Sequence, residues 1–319
     1  NQYEFKARPW KLEHTHSIDV FDAIGSNLRL DSRGTSILRA LPRLNDAVNE
    51  EWLSDKARMS VDGLAHQRID TPLVRTPEGG YEKKTWTEVL THLHKKISSI
   101  QFTDPDNEIQ AVVGDLADAE SIIATKDFIN GLGSSNTITS DGIDIPADIR
   151  SHYLFNTQIT KLDEADCVVL IGTNPRIEAP ILNARIRKQT FNRRIPVYGV
   201  GPEADLAMDH LKWVGDESNT IEDILNDKGP IAKKLATAKK PVIIFGMSLF
   251  NKYGDVEDKK PIQLMERFKN KFQNTWNQDW KGINVLQATA SRVAALDLGF
   301  VPGPNVDLNK KTKMGGRGG

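Results

Sequence analysis

Three short runs constrain this chain most: DCVVLIG at 166–172, IPVYGV at 195–200 and PVIIFG at 241–246. Each is apolar along its length rather than at every second residue. A strand with one wet face alternates, whereas a strand covered on both faces does not. The runs therefore read as strands of a mainly parallel sheet with helices on both sides. The segments between and after them agree: helical spacing falls near 180–190, around 220–238, near 261–272 and near 287–298. The rhythm starts earlier, at Thr85-Trp86-Thr87-Glu88, whose reciprocal capping pattern precedes Val89, Leu90, Leu93 and Ile97 at helical spacing. IQAVVG follows, then a helix from about Asp118 with Ile122 and Ile129 seven apart and a stop at Gly131.

The first part of the chain has another period. SIDVFDAIGSNLRLDSRGTSILRAL, from residue 17, gives short β-prone runs broken at Gly25-Ser26-Asn27 and Asp31-Ser32-Arg33-Gly34. Leu28 and Leu30 alternate with Arg29, which predicts an antiparallel hairpin or meander. Residues 49–64 read as one helix or two helical turns, with Trp52 and Leu53 on one side. The fold class is thus α/β: a small β-rich unit over 1–72, then a layered α/β domain over 73–304. The end, 305–319, contains NKKTKMGGRGG and reads as a flexible basic, Gly-rich tail.

Charge and cysteine usage exclude several function classes. Lys plus Arg is 42 and Asp plus Glu is 43, a balance that argues against nucleic acid as the main partner. Cys167 is the single cysteine, so the chain by itself forms no disulfide, thiolate zinc site or cysteine-held iron–sulfur cluster. No run approaches the roughly 18 apolar residues of a membrane span. NQYEFKARPW lacks a secretory signal's apolar core and does not begin with Met, which fits a removed targeting peptide or a trimmed chain equally.

The best-defined loop is IGTNPRIEAPILNARIRK at 171–188, where a strand ends at Gly172 and Pro180 suits the first turn of a helix. In open α/β sheets, ligands lie beyond the carboxyl ends of strands. Such a loop reads either as a nucleotide or pterin-dinucleotide contact, or as a turn whose Asn174 satisfies nearby backbone while Arg176 and Glu178 face water. Cys167, inside an apolar strand, reads as a small hydrophobe. His14-Thr15-His16 could chelate on a strand but has no evident carboxylate partner set. His92 and His94, two apart on a helix, point in different directions. No Walker loop, Gly-x-Gly-x-x-Gly fingerprint, His-Glu-x-x-His or Gly-x-Ser-x-Gly is present, and no carboxylate pair stands out as an acid/base couple.

Longer segments carry a resemblance. ARPWKLEHTHSIDVFDAIGSNLRL, LPRLNDAVNEEWLSDKAR, DGLAHQRIDTPLVR, EADCVVLIGTNPRIEAPILNARIRK and ASRVAALDLGFVPG lie in one order from about residue 7 to 303. Together they resemble the large iron–sulfur subunit of respiratory complex I, most closely its mitochondrial form. The resemblance implies a molybdopterin-oxidoreductase-like body, incomplete here at its C-terminal side, that is not a molybdenum enzyme. In some bacterial relatives an extra cluster is held by cysteines in the β-rich unit, one near the turn occupied here by Val61-Asp62-Gly63. Val61 cannot ligate iron. Gly172, Thr173, Asn174 and Pro175 match the nucleotide-side loop of molybdopterin enzymes, though a loop alone does not establish binding.

What the resemblance implies is a structural, non-redox role in the peripheral arm, on the matrix side of the mitochondrial inner membrane. No catalytic, cofactor-binding or metal-ligating residue is expected here; 4Fe-4S and 2Fe-2S clusters are expected on partner chains. Those partners would be a chain or segment carrying the cysteine-rich N-terminal domain and the NADH-binding flavoprotein subunits, and apolar surface should be left uncovered for them. Two alternatives are a catalytic fragment of a molybdopterin-dependent oxidoreductase and a freestanding nucleotide-binding module.

Overall fold

Three antiparallel strands open the chain: β1 (Glu13–Ile18), β2 (Asn27–Arg33) and β3 (Ser36–Pro42), in the spatial order β1-β2-β3. The computed structural model describes residues 3–101, 108–143, 145–253, 260–277 and 279–303; the 305–319 tail lies outside the described residues. The expected meander is present, with β1 beginning before residue 17. Leu28 of β2 and Ala40 of β3 turn inward onto α1 (Asp55–Met59) and the 3-10 turn Ser60–Leu64. Ser54 caps that helix, its Oγ accepting from the Ala57 N–H at 3.2 Å. One expectation is corrected here. Trp52 and Leu53 precede the helix and do not share a side: Trp52 is 60% exposed, whereas Leu53 is buried.

The layered part carries a five-stranded sheet in the order β10-β9-β8-β11-β12. Its members are β8 (Cys167–Ile171), β9 (Val197–Val200), β10 (Leu211–Trp213), β11 (Pro241–Gly246) and β12 (Ile283–Leu286), and every neighbouring pair is parallel. All residues of β8 and β11 are buried, as continuous apolar runs require. Each fully buried Ile, Leu or Val here contributes about 1.5–3 kcal/mol. The chain builds outward from β8 through β9 to β10, then returns to add β11 and β12 on the other side. The strand order therefore reverses between β8 and β11.

Helices cover both faces. Those that bear on the site are α4 (Pro175–Glu178), α5 (Pro180–Arg193), α6 (Glu217–Leu225), α8 (Met247–Tyr253) and α9 (Pro261–Phe272), with α7 (Gly229–Leu235) also packed on the core. Pro180 stands in the first turn of α5, as its position predicts. In α9, Leu264, Phe268 and Phe272 recur every four residues and are buried, and the Phe268 ring meets Phe245 edge-on at 5.7 Å.

A second, smaller core joins β6 (Ala111–Val113), α3 (Ala119–Gly131), β7 (Thr137–Thr139) and α10 (Ala290–Asp297) through Ile122, Ile129, Ala295 and Phe300. β6 and β7 run parallel, and the chain returns beside β7 where Pro302 bridges Thr137.

Helix α2 (Trp86–Gln101) forms with the anticipated cap: Thr85 N donates to Glu88 Oε2 at 2.8 Å, and Glu88 N donates to Thr85 Oγ1 at 3.4 Å. Its apolar stripe is not covered, with Leu90 58% and Leu93 45% exposed. Uncovered apolar surface is what the sequence leads one to expect of this domain.

Five strands have no clear sequence signal: β4 (Leu73–Arg75) and β5 (Tyr81–Lys83), which pair as a hairpin, together with β7, β10 and β12. Four of them are three residues long, too short to show a period. In β12 the apolar run is broken by Asn284, which is buried and satisfied by the Thr157 N–H at 2.7 Å.

Candidate functional site

Ligands of open α/β sheets lie beyond the carboxyl ends of strands, where the order reverses. Here that place lies between the ends of β8 and β11, and the 172–175 loop forms one wall. Gly172 turns the chain at a φ of +59°, a conformation that disfavours side chains with a Cβ. The opposite wall presses directly against it. Ser248 Oγ donates to the Gly172 carbonyl, and a Cβ placed on Gly246 would lie 2.1 Å from that same oxygen. The two loops touch at this point, with Ser248 itself exposed. Gly246→Ala should therefore cost roughly 1–3 kcal/mol or more, because backbone must yield to make room. A melting temperature equal to that of the parent chain would contradict this packing.

Glu178 folds back so that Thr173 Oγ1 donates to its Oε2 at 2.6 Å and Asn174 N donates to its Oε1 at 3.0 Å. Arg176 Nη1 donates to Asp205 Oδ2 at 2.6 Å. The Ala207 N–H first, and then this bond, hold the Asp205 carboxyl below the usual range. Arg176 stays half exposed, as the solvated reading has it, whereas Glu178 is turned onto the loop and Asn174 does not serve the backbone. Asn174 makes no capping bond, and its Oδ1 is buried without a partner. Lys56, from α1, donates to the carbonyls of Glu178 at 2.9 Å and Phe21 at 3.0 Å, tying the β-rich unit to this loop. Beyond β9, the nearly buried Glu217 pairs with Lys252 at 3.0 Å.

The chemistry of these groups does not fit a pterin dinucleotide or another phosphate ester. Such ligands need free N–H donors and positive charge, whereas the cations here, Lys56, Arg176 and Lys252, are bonded to carbonyls or carboxylates and Asn174 adds an orphan acceptor.

The β-rich unit gives a parallel result for an iron–sulfur cluster. Val61, 6% exposed, packs with Leu28, Ala40, Leu53 and Ala57 in a small apolar core. Cys167 lies elsewhere, inside β8, and burial, helped by the charge of Asp166, pushes its thiol up to about 12. A thiol so hard to ionise is a poor metal ligand. The donor set does not fit a cluster.

The histidines go elsewhere too. His14 Nδ1 lies 2.8 Å from Asp31 Oδ1, beside Arg29 and Arg39 at 2.8 and 2.6 Å from the same carboxylate. Burial pushes Asp31 up, but the hydrogen bonds from these three side chains outweigh it and hold the carboxyl low. His92 and His94 are exposed on α2. Among the described residues, no group of three or more His, Cys, Asp or Glu is placed to hold a metal ion. Reasoning from sequence did not anticipate Glu178, Glu217, Ser248 or Lys56 in these roles. A carboxylate four residues after the loop's Asn174 was the one available signal.

Comparison with known proteins follows this geometry. Residues 68–316 match the model described as molybdopterin oxidoreductase. The chain belongs to the molybdopterin oxidoreductase family. Residues 12–62 match the 4Fe-4S domain described as NADH-ubiquinone oxidoreductase NDSU1/NuoG-like. Family members similar to this chain include the mitochondrial NADH-ubiquinone oxidoreductase 78 kDa subunit of Candida albicans, 44% identical, covering 93% of this chain and 41% of that protein. The mitochondrial NADH dehydrogenase [ubiquinone] iron-sulfur protein 1 of Solanum tuberosum is 42% identical over 94% of this chain and 40% of its own length. The NADH-ubiquinone oxidoreductase 75 kDa subunit of Reclinomonas americana is 41% identical over 93% and 44%. The chain thus spans well under half the length of these relatives. Among solved structures, acetylene hydratase from Pelobacter acetylenicus shares the fold at a TM-score of 0.52, with 11% identity, over 90% of this chain and 43% of that one.

Proposed function

We infer that this chain is an architectural, non-redox component of the peripheral arm of respiratory complex I, on the matrix side of the mitochondrial inner membrane. Electrons from NADH reach ubiquinone over 4Fe-4S and 2Fe-2S clusters on partner chains. The observation that carries this reading is the likeness to subunits of NADH–ubiquinone oxidoreductase, at 40–44% identity along 93–97% of the chain. Support comes from the two places where the family fold would hold a group: a crevice whose neighbouring cations are already bonded, and an apolar core around Val61. Side chains there pack rather than ligate, so no residue of this chain is assigned a catalytic, cofactor-binding or metal role. The partners are a chain or segment bearing the cysteine-rich domain and the NADH-binding flavoprotein subunits. The exposed stripe of α2 is the surface type such partners cover. The boundaries at 72/73 and 304/305 belong to the same reading. No described helix is long and apolar enough to cross a membrane.

The two other readings meet specific obstacles. A catalytic molybdopterin fragment needs free positive charge for its pterin dinucleotide, and Lys56, Arg176 and Lys252 beside the crevice are already bonded. A freestanding nucleotide-binding module needs loop donors, and Glu178 already takes those of Thr173 Oγ1 and Asn174 N.

Native electrophoresis of mild-detergent extracts, with immunodetection of this chain and a stain for NADH dehydrogenase activity, tests the reading. Metal analysis of the chain released from the band completes it. Co-migration with the active complex and no stoichiometric iron, molybdenum or tungsten on the released chain are expected. A free monomer saturable by nucleotide, or one metal atom per chain, would sink the reading.

A further inference from the structure

A cavity of about 450 Å³ opens at the end of the main sheet opposite the Gly172 loop, where β11 and β12 begin. That size lies within the ordinary range for small-ligand sites. Its floor is apolar and fixed. Trp276, Trp280 and Met265 are nearly buried, and the Trp280 indole is pinned by an N–H bond to the Pro241 carbonyl at 2.6 Å. The charged groups around it are unequal. Glu266, on α9, is the one carboxylate among the described lining residues, and it lies 3.4 Å from His152 Nε2. Lys269, on α9, and Lys281, just before β12, are exposed, and neither ammonium has an ion-pair partner among the described residues. Indole walls suit a flat ring. Two unpaired ammonium groups suit an anionic oxygen, because charge-assisted hydrogen bonds are the stronger kind.

We propose that this cavity binds a small planar anion, an aromatic ring carrying a carboxylate or a phosphate, with the ring against the tryptophans and the charge at Lys269 and Lys281. The site uses none of the groups at the carboxyl ends of the strands, so it is separate from the fold's usual ligand position. It also stands apart from the architectural role inferred above, and either can fail without the other.

Isothermal titration calorimetry on the purified chain tests it. Benzoate and phenyl phosphate serve as planar anions with the two kinds of charge, inorganic phosphate as charge without a ring, and benzamide as a ring without charge. Saturable binding of benzoate or phenyl phosphate is expected, with inorganic phosphate and benzamide at least about tenfold weaker. The double variant Lys269→Gln/Lys281→Gln should lose about tenfold or more in affinity while melting at the parent temperature, since both side chains are exposed. The single variant Lys281→Gln, read the same way, covers any failure of the double variant to fold. Three results would overturn the proposal: no saturable heat from either planar anion below about 10 mM, benzamide binding as well as benzoate, or variants that bind as the parent does.

Discussion

Arg292→Met is expected to destabilise the chain by about 1–3 kcal/mol, the usual cost of leaving a buried polar group without its partner. Arg292 is 4% exposed on α10, yet it makes two hydrogen bonds and an ion pair. Nη1 donates to Thr139 Oγ1 at 2.6 Å, Nη2 donates to the Ile143 carbonyl, and Nε lies 3.0 Å from Asp141 Oδ2. The variant leaves the buried Ile143 carbonyl and Thr139 hydroxyl without this donor, while the exposed Asp141 turns to water. It should also loosen the hold of α10 on β7, the join that closes the smaller core. Arg292→Lys should recover little, because a single ammonium cannot serve three acceptors spread over a planar fork. Urea denaturation of the three proteins measures this, and a loss below about 1 kcal/mol for the methionine variant would show that the pair is not needed.

Stability should also fall as pH rises from about 4 to about 6, through Asp22. This side chain is buried in the β1–β2 loop; its Oδ1 accepts from the Ile24 N–H at 3.0 Å, and its Oδ2 has no partner. Burial pushes its carboxyl from an ordinary value near 3.8 to about 6; the charge of Asp19 adds to this, and the Ile24 N–H and Lys56 oppose it. A folded value above the unfolded one means that the neutral form is favoured by folding. The contribution is then complete below the unfolded value and lost as pH climbs through the folded one. The interval corresponds to about 3 kcal/mol at most. Asp22→Asn cannot ionise, so the difference in unfolding free energy between variant and parent should grow in the variant's favour between pH 4 and pH 7. Other carboxylates titrate alike in both chains and cancel. Parallel pH dependences would refute the assignment.

Much of the layered architecture is legible from local pattern. β8, β9 and β11 show themselves because a strand buried on both faces has to be apolar throughout, and α9 because Leu264, Phe268 and Phe272 recur at helical spacing. β12 is hidden by Asn284, a polar residue tolerated inside a strand only because Thr157, far away in sequence, satisfies it. Trp52 misleads for a related reason: whether an aromatic residue anchors a core depends on what reaches it, and here little does.

The candidate site divides in the same way. That the chain holds one thiol, in an apolar run, can be read directly from its residues, since ligand chemistry is a property of side chains. That Val61 completes a small core, that Ser248 and Gly246 lie against the Gly172 carbonyl, and that Glu178 accepts from Thr173 and Asn174 emerge only from the folded chain. Composition and periodicity are local and fix which layers form and which chemistry is on hand. What fills a gap between two loops is decided by packing across long stretches of chain, where no short pattern carries the information.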